Sequence, residues 1–137
     1  MSNISDYLEV AVLNHLFLNI NLPSPVSVYL GLVSDVATDD DMETGNLTNE
    51  IVTYTGDRKA ITFSAPTQIS GKATIVNTNL INFLLMPAVT VKYAIVCDGL
   101  TKSAGNIMYW CPLIVEKIMG AGETFSIPIG NLILDLD

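Results

Sequence analysis

Basic residues are scarce in this chain. Of its 137 residues only six are Lys or Arg, against fourteen Asp or Glu, which gives a formal net charge of −8. Residues 1–57 contain nine acids and no Lys or Arg. Binding to a nucleic-acid backbone requires clustered Lys and Arg that displace counterions. The sequence therefore predicts that nucleic acid is not a direct partner.

The residue types of common catalytic and metal sites are equally few. His15 is the only histidine, and in its apolar surroundings it is more typical of a core or an interface than of a general base. Cys97 and Cys111 are too few for a disulfide framework or a zinc site, and we expect free thiols. The sequence offers no nucleophile motif, phosphate-binding loop or distinct carboxylate pair. We predict a non-enzymatic protein without a cofactor or metal.

Charged residues make up only 15% of the chain, whereas half of it is hydrophobic and the mean hydropathy is +0.45. This is high for a soluble monomer, so we expect part of the apolar surface to meet a partner. The apolar segment 7–20 has two acids at its start, Asp6 and Glu9, whereas a signal peptide would carry basic residues there. Asn14 and His15 interrupt the ~20 apolar residues that a membrane span needs. We expect synthesis in a cytosol and no membrane partner.

The segment SDYLEVAVLNHLFLNI predicts a helix over residues 6–19. Asp6 and Glu9 fit a capping box in which Asp6 is the N-cap residue. Apolar residues recur at helical spacing on two flanks instead of one, so we expect the helix to be covered on more than one side. The first flank holds Leu8, Ala11, Val12, His15 and Leu16, and the second holds Tyr7, Val10, Leu13 and Phe17.

Seven or more short strands follow the helix. Residues 25–34, PVSVYLGLVS, alternate Val26, Val28, Leu30 and Leu32 with their neighbours, as a strand with one buried face does. Further strands are predicted at 51–55, 58–66, 79–87, 89–99, 106–115, 123–130 and 131–137, between Gly, Asn or Pro residues. Without crossover helices, such strands predict a mainly β fold, an antiparallel β-sandwich or jelly-roll-like domain with one N-terminal α-helix. We expect one domain over residues 1–137.

The segment 35–50, DVATDDDMETGNLTNE, carries six of the fourteen acids and has no apolar periodicity. We expect an exposed loop that is solvated or faces a partner. A calcium site is the lesser alternative, since four acids occupy the first, third, fifth and twelfth places of an EF-hand-like loop: Asp39, Asp41, Glu43 and Glu50. Thr44 stands where such a loop requires Gly, and the flanking segments are not helical.

The order of segments along the whole chain resembles a family of short bacteriophage virion proteins. The resemblance is carried by YLEVAVLNHLF, PVSVYLGLVSD, GDRKAITFSAP, VKYAIVCD, GNIMYWCPL and the terminal NLILDLD. Members are commonly labelled tail fibre proteins, and similar small β-sandwich proteins serve as trimeric capsid cement. Segments 35–50 and 77–93 depart from the Gly-rich and Ala-rich loops of the family. The resemblance implies a virion structural protein made in the host cytoplasm.

Two functions follow from the resemblance. The first is a homotrimeric cement, or decoration, protein on the capsid surface that clamps neighbouring major capsid subunits, because the chain has no repeat or heptad from which to build a fibre shaft. The residues expected at its interfaces are Tyr7, Leu8, Val12, His15 and Phe17 in the helix, and Asp39, Asp40, Asp41 and Glu43 in the acidic segment. The alternative is a tail-fibre or receptor-binding head domain that contacts host glycans, with Trp110, Tyr109 and Tyr54 as its aromatic platform.

Overall fold

The computed structural model describes residues 2–25 and 27–137, and within them the chain forms two helices and ten strands. The helices are α1 (Asp6–Leu18) and α2 (Asp39–Glu43). The strands are β1 (Asn3–Ile4), β2 (Val28–Ser34), β3 (Lys59–Ile61), β4 (Thr67–Ile69), β5 (Lys72–Val76), β6 (Ile81–Phe83), β7 (Val89–Cys97), β8 (Ile107–Met119), β9 (Phe125–Ile127) and β10 (Ile133–Leu136). Neither of these helices is long and apolar enough to cross a membrane.

The strands form three antiparallel sheets, which confirms the predicted mainly β, sandwich-like fold with an N-terminal helix. The largest sheet has the strand order β1-β8-β7-β2-β3, and the smaller sheets have the orders β10-β5-β4 and β6-β9. β7 lies at the centre of the largest sheet and pairs along its length with β2 on one side and β8 on the other. The long strands predicted most clearly by their apolar patterns are therefore the ones that form the centre of the fold.

Two hydrophobic clusters form on opposite faces of the largest sheet. On one face Leu30 packs in the same cluster as Phe83 of β6 and Phe125 of β9, so this cluster joins the large sheet to the smaller ones. On the other face Tyr93 packs in a cluster with Met42 of α2. Successive side chains of β7 serve the two clusters in turn, because side chains alternate across a strand.

Several strand boundaries differ from the sequence prediction. β2 begins at Val28, and the predicted strand residue Val26 lies outside the described residues. The predicted strand at 51–55 is wrong, since this segment has no ladder of its own beyond an isolated bridge at Glu50. Ile51 and Tyr54 are buried all the same, because their side chains fill the core from an irregular segment.

The β4–β5 hairpin was not predicted from the sequence. Its turn is Ser70-Gly71, in which both residues have positive φ, 51° and 82°. Positive φ at both central residues is the backbone that a two-residue hairpin of type I′ requires. The hairpin carries β10 on its other side, through the pairing of Ile133–Leu136 with Ala73–Val76.

β8 is the longest strand and extends beyond its predicted end at residue 115, to Met119. Its pairing with β7 shifts between Tyr93↔Pro112 and Val91↔Lys117. The four residues 113–116 therefore lie opposite Lys92 alone, as a large β-bulge. In this bulge the side chains of Ile114 and Val115 point away from the two clusters.

Candidate functional site

Helix α1 is attached to the sheet through its N-cap residue. Ser5 is the N-cap, and its hydroxyl accepts a hydrogen bond from the backbone N–H of Leu8 at 3.4 Å and donates one to the carbonyl of Ile107 in β8. The predicted N-cap, Asp6, is wrong by one residue: Asp6 is already helical. The helix ends at Asn19, whose left-handed φ of 55° is one that Asn adopts readily at a C-cap.

The apolar side chains of α1 have little cover within the chain. None of the thirteen helical residues is buried. Five apolar residues of the helix and one that follows it are each more than half exposed: Val10, Leu13, Leu16, Phe17, Leu18 and Ile20. We call these six residues the α1 surface. The largest apolar patch on a typical soluble monomer measures ~300–600 Å² and is often functional, so the α1 surface is a candidate for contact with a partner.

The five predicted interface residues of the helix divide between its two sides. Leu8 and Val12 are half-buried on the side that contacts β8. Tyr7, His15 and Phe17 are exposed, and His15 Nδ1 lies 3.2 Å from the carbonyl oxygen of Ile20. The chain thus covers one side of the helix in part and leaves the other open, whereas the sequence predicted cover on more than one side.

The acidic segment 35–50 lies against the sheet and is more than a loop, although eight of its sixteen residues are exposed as predicted. It contains α2, whose N-cap Thr38 forms a capping box with Asp41. Ala37 and Met42 are buried against the second face of the large sheet. A helix of five residues is too short to show apolar periodicity, so the only sequence sign of it was the capping-box spacing of Thr38 and Asp41.

Three of the four acids predicted for a partner interface accept hydrogen bonds within the chain. Asp39 accepts a hydrogen bond from the Tyr93 hydroxyl, and Glu43 accepts one from Trp110 Nε1 at 2.9 Å. The backbone and side-chain hydrogen bonds from Thr38, with a further one from the Asn46 amide, lower the pKa of Asp41. The side chain of Asp40, the fourth acid, is exposed.

The proposed calcium loop does not form, because its acids point to separate partners. Glu50, which would be the twelfth-place ligand, is buried in an ion pair with Arg58. Gly31 leaves the space for this pair: a Cβ at Gly31 would lie 2.8 Å from Glu50 Oε1. The hydrogen bond with Glu50 raises the pKa of Arg58 despite the opposing effect of burial, so the guanidinium remains charged in the interior.

Asp6, Glu9 and Glu43 bring their carboxylate oxygens within 4.8 Å of one another where α1 meets α2. Asp6 and Glu9 lie in the first turn of α1, where the helix dipole favours negative charge. Both are exposed and Glu43 is half-exposed. The position of two of these acids at the start of a helix accounts for the cluster without a ligand.

A second apolar surface, which the sequence analysis missed, lies at the bulge of β8. Ile114 is 100% exposed, Val115 78% and Ile118 79%. Beside them a cleft of about 690 Å³ separates β8 from the segment that contains β9 and the start of β10, and Phe125 and Ile127 line it. The only sequence signal was the unbroken apolar run PLIV after Cys111, at the end of the strand predicted over 106–115.

A comparison with known protein families decides which class of protein carries these surfaces. Residues 3–135 match the family described as Podophage GP4 fiber I protein gp80. The chain belongs to this family. No curated protein matches it. Membership of the gp80 fibre family makes the protein a bacteriophage virion component of the structural, tail-fibre-like type. The matched residues include both helices and the whole of β8.

The aromatic residues suggested as a glycan platform do not form one in this gp80 family member. Tyr54 and Trp110 are buried, with exposed fractions of 3% and 6%. Trp110 packs edge-on against Tyr93, with ring centroids 5.9 Å apart, and its N–H is bound to Glu43. Tyr109 is half-buried. Stacking on a sugar requires an exposed aromatic face, so these residues serve the core instead.

Proposed function

We propose that this gp80 family member is a non-enzymatic structural subunit of the phage fibre that assembles with copies of itself, as a homotrimer, through the α1 surface. The observation that carries the proposal is the exposure of α1: thirteen helical residues, mostly apolar, with none buried. The family match to a fibre protein supports the place in the virion.

The chemistry of the α1 surface suits contact between identical copies. From Val10 to Ile20 the sequence contains no Asp, Glu, Lys or Arg. Identical copies would therefore meet there without like-charge repulsion, although the chain as a whole carries a net charge of −8. Full burial of a Leu or Phe side chain contributes roughly 1.5–3 kcal/mol, so six half-exposed side chains provide a substantial driving force.

A capsid cement protein is the second candidate. It would use the same α1 surface for trimer formation and would bind the major capsid protein at the shell surface. The absence of a heptad or collagen-like repeat in the sequence favours this role, since neither common type of fibre shaft is encoded in these 137 residues. The gp80 family description favours the fibre.

Two experiments test the proposal. Sedimentation of the purified protein should give the mass of a trimer or of a multiple of it, and Leu13→Asp/Phe17→Asp should reduce that mass with an unchanged circular dichroism spectrum. Val36→Asp is the matched control, because Val36 is 72% exposed but lies outside α1. Immunogold labelling of virions then separates the two placements: label at the tail supports the fibre, and label over the capsid shell supports the cement role and contradicts the fibre.

A further inference from the structure

The exposed side of α1 carries a stripe of apolar side chains. Residues three, four or seven positions apart share one face of a helix. Four apolar residues at this spacing are 58–76% exposed: Val10, Leu13, Leu16 and Phe17. We call them the α1 stripe. The stripe lies on the side of the helix opposite Leu8 and Val12, which are half-buried where α1 contacts β8.

Negative charge lies at the start of the stripe. Glu9 is four residues before Leu13 and is therefore on the same face of α1. Its carboxylate lies within 4.8 Å of those of Asp6 and Glu43, and we call these three residues the α1 acid cluster. None of them forms an ion pair with a base of the described residues. A base supplied by a partner would offset the repulsion among the three carboxylates.

The cleft beside the bulge of β8 has the complementary character. Its volume of about 690 Å³ is within the ~300–1,000 Å³ range of pockets that bind ligands. Phe125, Ile127 and Leu132, which belong to the hydrophobic core, line it. Of its described lining residues only Lys117 is charged, although the chain contains fourteen acids and six bases. The cleft therefore suits an apolar partner that carries negative charge at one end.

The stripe cannot lie in the cleft of its own chain. The hydroxyl and the backbone N–H of Ser5 donate to the carbonyls of Ile107 and Met108, so α1 is held at the beginning of β8. The stripe faces away from β8, whereas β8 from Cys111 to Lys117 forms one wall of the cleft. Each copy therefore presents the stripe and the cleft on two separate surfaces.

We propose that the α1 stripe of one copy lies in the cleft of the next copy, with Glu9 beside Lys117 of that copy. This contact rests on the trimer proposed above and supplies the surface that receives α1. Around a three-fold axis each contact joins two different surfaces of the chain, and the contacts close into a ring. The stripe from Val10 to Phe17 is about 11 Å long. The β8 wall from Cys111 to Lys117 extends at most about 20 Å, so it is long enough to hold the stripe.

The charges favour the cleft over direct packing of α1 on α1. Three helices packed around the axis would bring three copies of the α1 acid cluster towards one another, and like charges that meet in an interface are unfavourable. In the cleft each cluster meets Lys117 instead. The same contact removes the exposed side chains of Ile114 and Val115 from water together with the stripe, and burial of apolar area is favourable.

Charges placed on either surface should prevent assembly. Ile114→Asp/Val115→Asp alters two lining residues that are 100% and 78% exposed, so the fold should be retained. In sedimentation this variant should give the mass of a single chain, as Leu13→Asp/Phe17→Asp should, with an unchanged circular dichroism spectrum. Ile118→Asp is the matched control and should keep the wild-type mass, because Ile118 is 79% exposed on the same strand but is not a lining residue.

A mixture of the two variants shows whether unlike surfaces meet. Leu13→Asp/Phe17→Asp keeps the cleft, and Ile114→Asp/Val115→Asp keeps the stripe. At millimolar concentration an equal mixture should therefore give dimers with one chain of each kind, although neither variant associates alone. Absence of these dimers contradicts the proposal. Packing of α1 on α1 would instead leave Ile114→Asp/Val115→Asp fully assembled on its own.

Exchange of the paired charges is an independent test. Glu9→Lys and Lys117→Glu should each weaken association about tenfold in sedimentation, because each places like charges beside each other in the contact. The double variant Glu9→Lys/Lys117→Glu should restore wild-type association. The proposal is overturned if the double variant is as weak as the single ones.

The same measurements separate this contact from the proposed function. If Ile114→Asp/Val115→Asp stays trimeric while Leu13→Asp/Phe17→Asp does not, the trimer forms through α1 without the cleft, and only the cleft contact is refuted. If Leu13→Asp/Phe17→Asp keeps the wild-type mass, assembly through α1 is itself refuted, and the cleft contact with it.

Discussion

Arg58 donates two parallel hydrogen bonds to Glu50, from Nε to Oε1 at 2.8 Å and from Nη2 to Oε2 at 2.9 Å. Both side chains are completely buried. Nη1 of Arg58 also donates to the carbonyls of Gly99 and Ala104, and the backbone N–H of Ser103 donates to Glu50 Oε2. The pair therefore ties the end of the acidic segment to the loop between β7 and β8.

Removal of one partner of this pair should be among the most destabilising substitutions in the chain. Glu50→Ala leaves the Arg58 charge buried without its counter-ion, and we expect a loss of about 3–5 kcal/mol in the free energy of unfolding. Asp57→Ala, at an exposed acid nearby, should stay within ~0.5 kcal/mol. Urea denaturation measures both. Similar losses for the two variants would show that the buried pair contributes nothing special.

Met42 should carry most of the attachment of α2. Its side chain is 0% exposed in the cluster with Tyr93 and Trp110. Met42→Ala should cost about 2–5 kcal/mol, because it removes buried volume and leaves a cavity. Val36→Ala, in the same segment but 72% exposed, should be nearly neutral. A Met42→Ala protein as stable as the Val36→Ala protein would mean that the segment is held by its hydrogen bonds alone.

The N-cap of α1 can be assigned by a pair of alanine substitutions. Ser5→Ala removes both the cap and the hydrogen bond to Ile107, so it should cost about 1–2 kcal/mol and speed hydrogen exchange of the α1 amides. Asp6→Ala should cost less than half of that, because Asp6 is exposed and contributes mainly through the helix dipole. A larger loss of stability in Asp6→Ala than in Ser5→Ala would identify Asp6 as the N-cap.

The buried thiol of Cys97 and the partly buried thiol of Cys111 should make stability fall at alkaline pH. Burial raises the pKa of Cys97 from 9.0 to about 12 and that of Cys111 to about 11. Because the folded state holds these protons more tightly than the unfolded state, the stabilisation is complete below pH 9 and is lost as the pH rises towards 12. Cys97→Ala should show a shallower loss between pH 9 and pH 11 by urea denaturation. If stability falls equally steeply with pH in Cys97→Ala and in the wild-type chain, groups other than Cys97 cause the alkaline loss.

The elements predicted correctly from the sequence are those whose pattern extends over many residues. α1, β2, β7 and β8 all show a repeated apolar period, and all four lie where the pattern placed them to within a few residues. α2 and the β4–β5 hairpin are too short for a period to appear. The Ser70-Gly71 dipeptide was a usable signal for the hairpin, because Gly favours the positive φ of a tight turn.

The candidate surfaces were predicted in part. The double apolar flank of α1 predicted a helix covered on more than one side, whereas the structure leaves the six residues of the α1 surface more than half exposed. The acids were misread because charged residues are usually solvated, whereas Glu50 pairs with Arg58 in the interior and Glu43 binds Trp110, 67 residues away in sequence. The exposure of Ile114 depends on a bulge in strand pairing, which no local pattern reveals.

The central position of β7 also determines how the chain can fold. Both hydrophobic clusters contain side chains of β7. β7 in turn pairs with residues that are distant in sequence, as Ala94 does with Leu32. Folds dominated by such non-local pairs fold in milliseconds to seconds, because long loops must close before any cluster forms. During that interval β7 and β8 are both uncovered and open to aggregation. The yield of correctly folded subunits should therefore depend on concentration and temperature during synthesis.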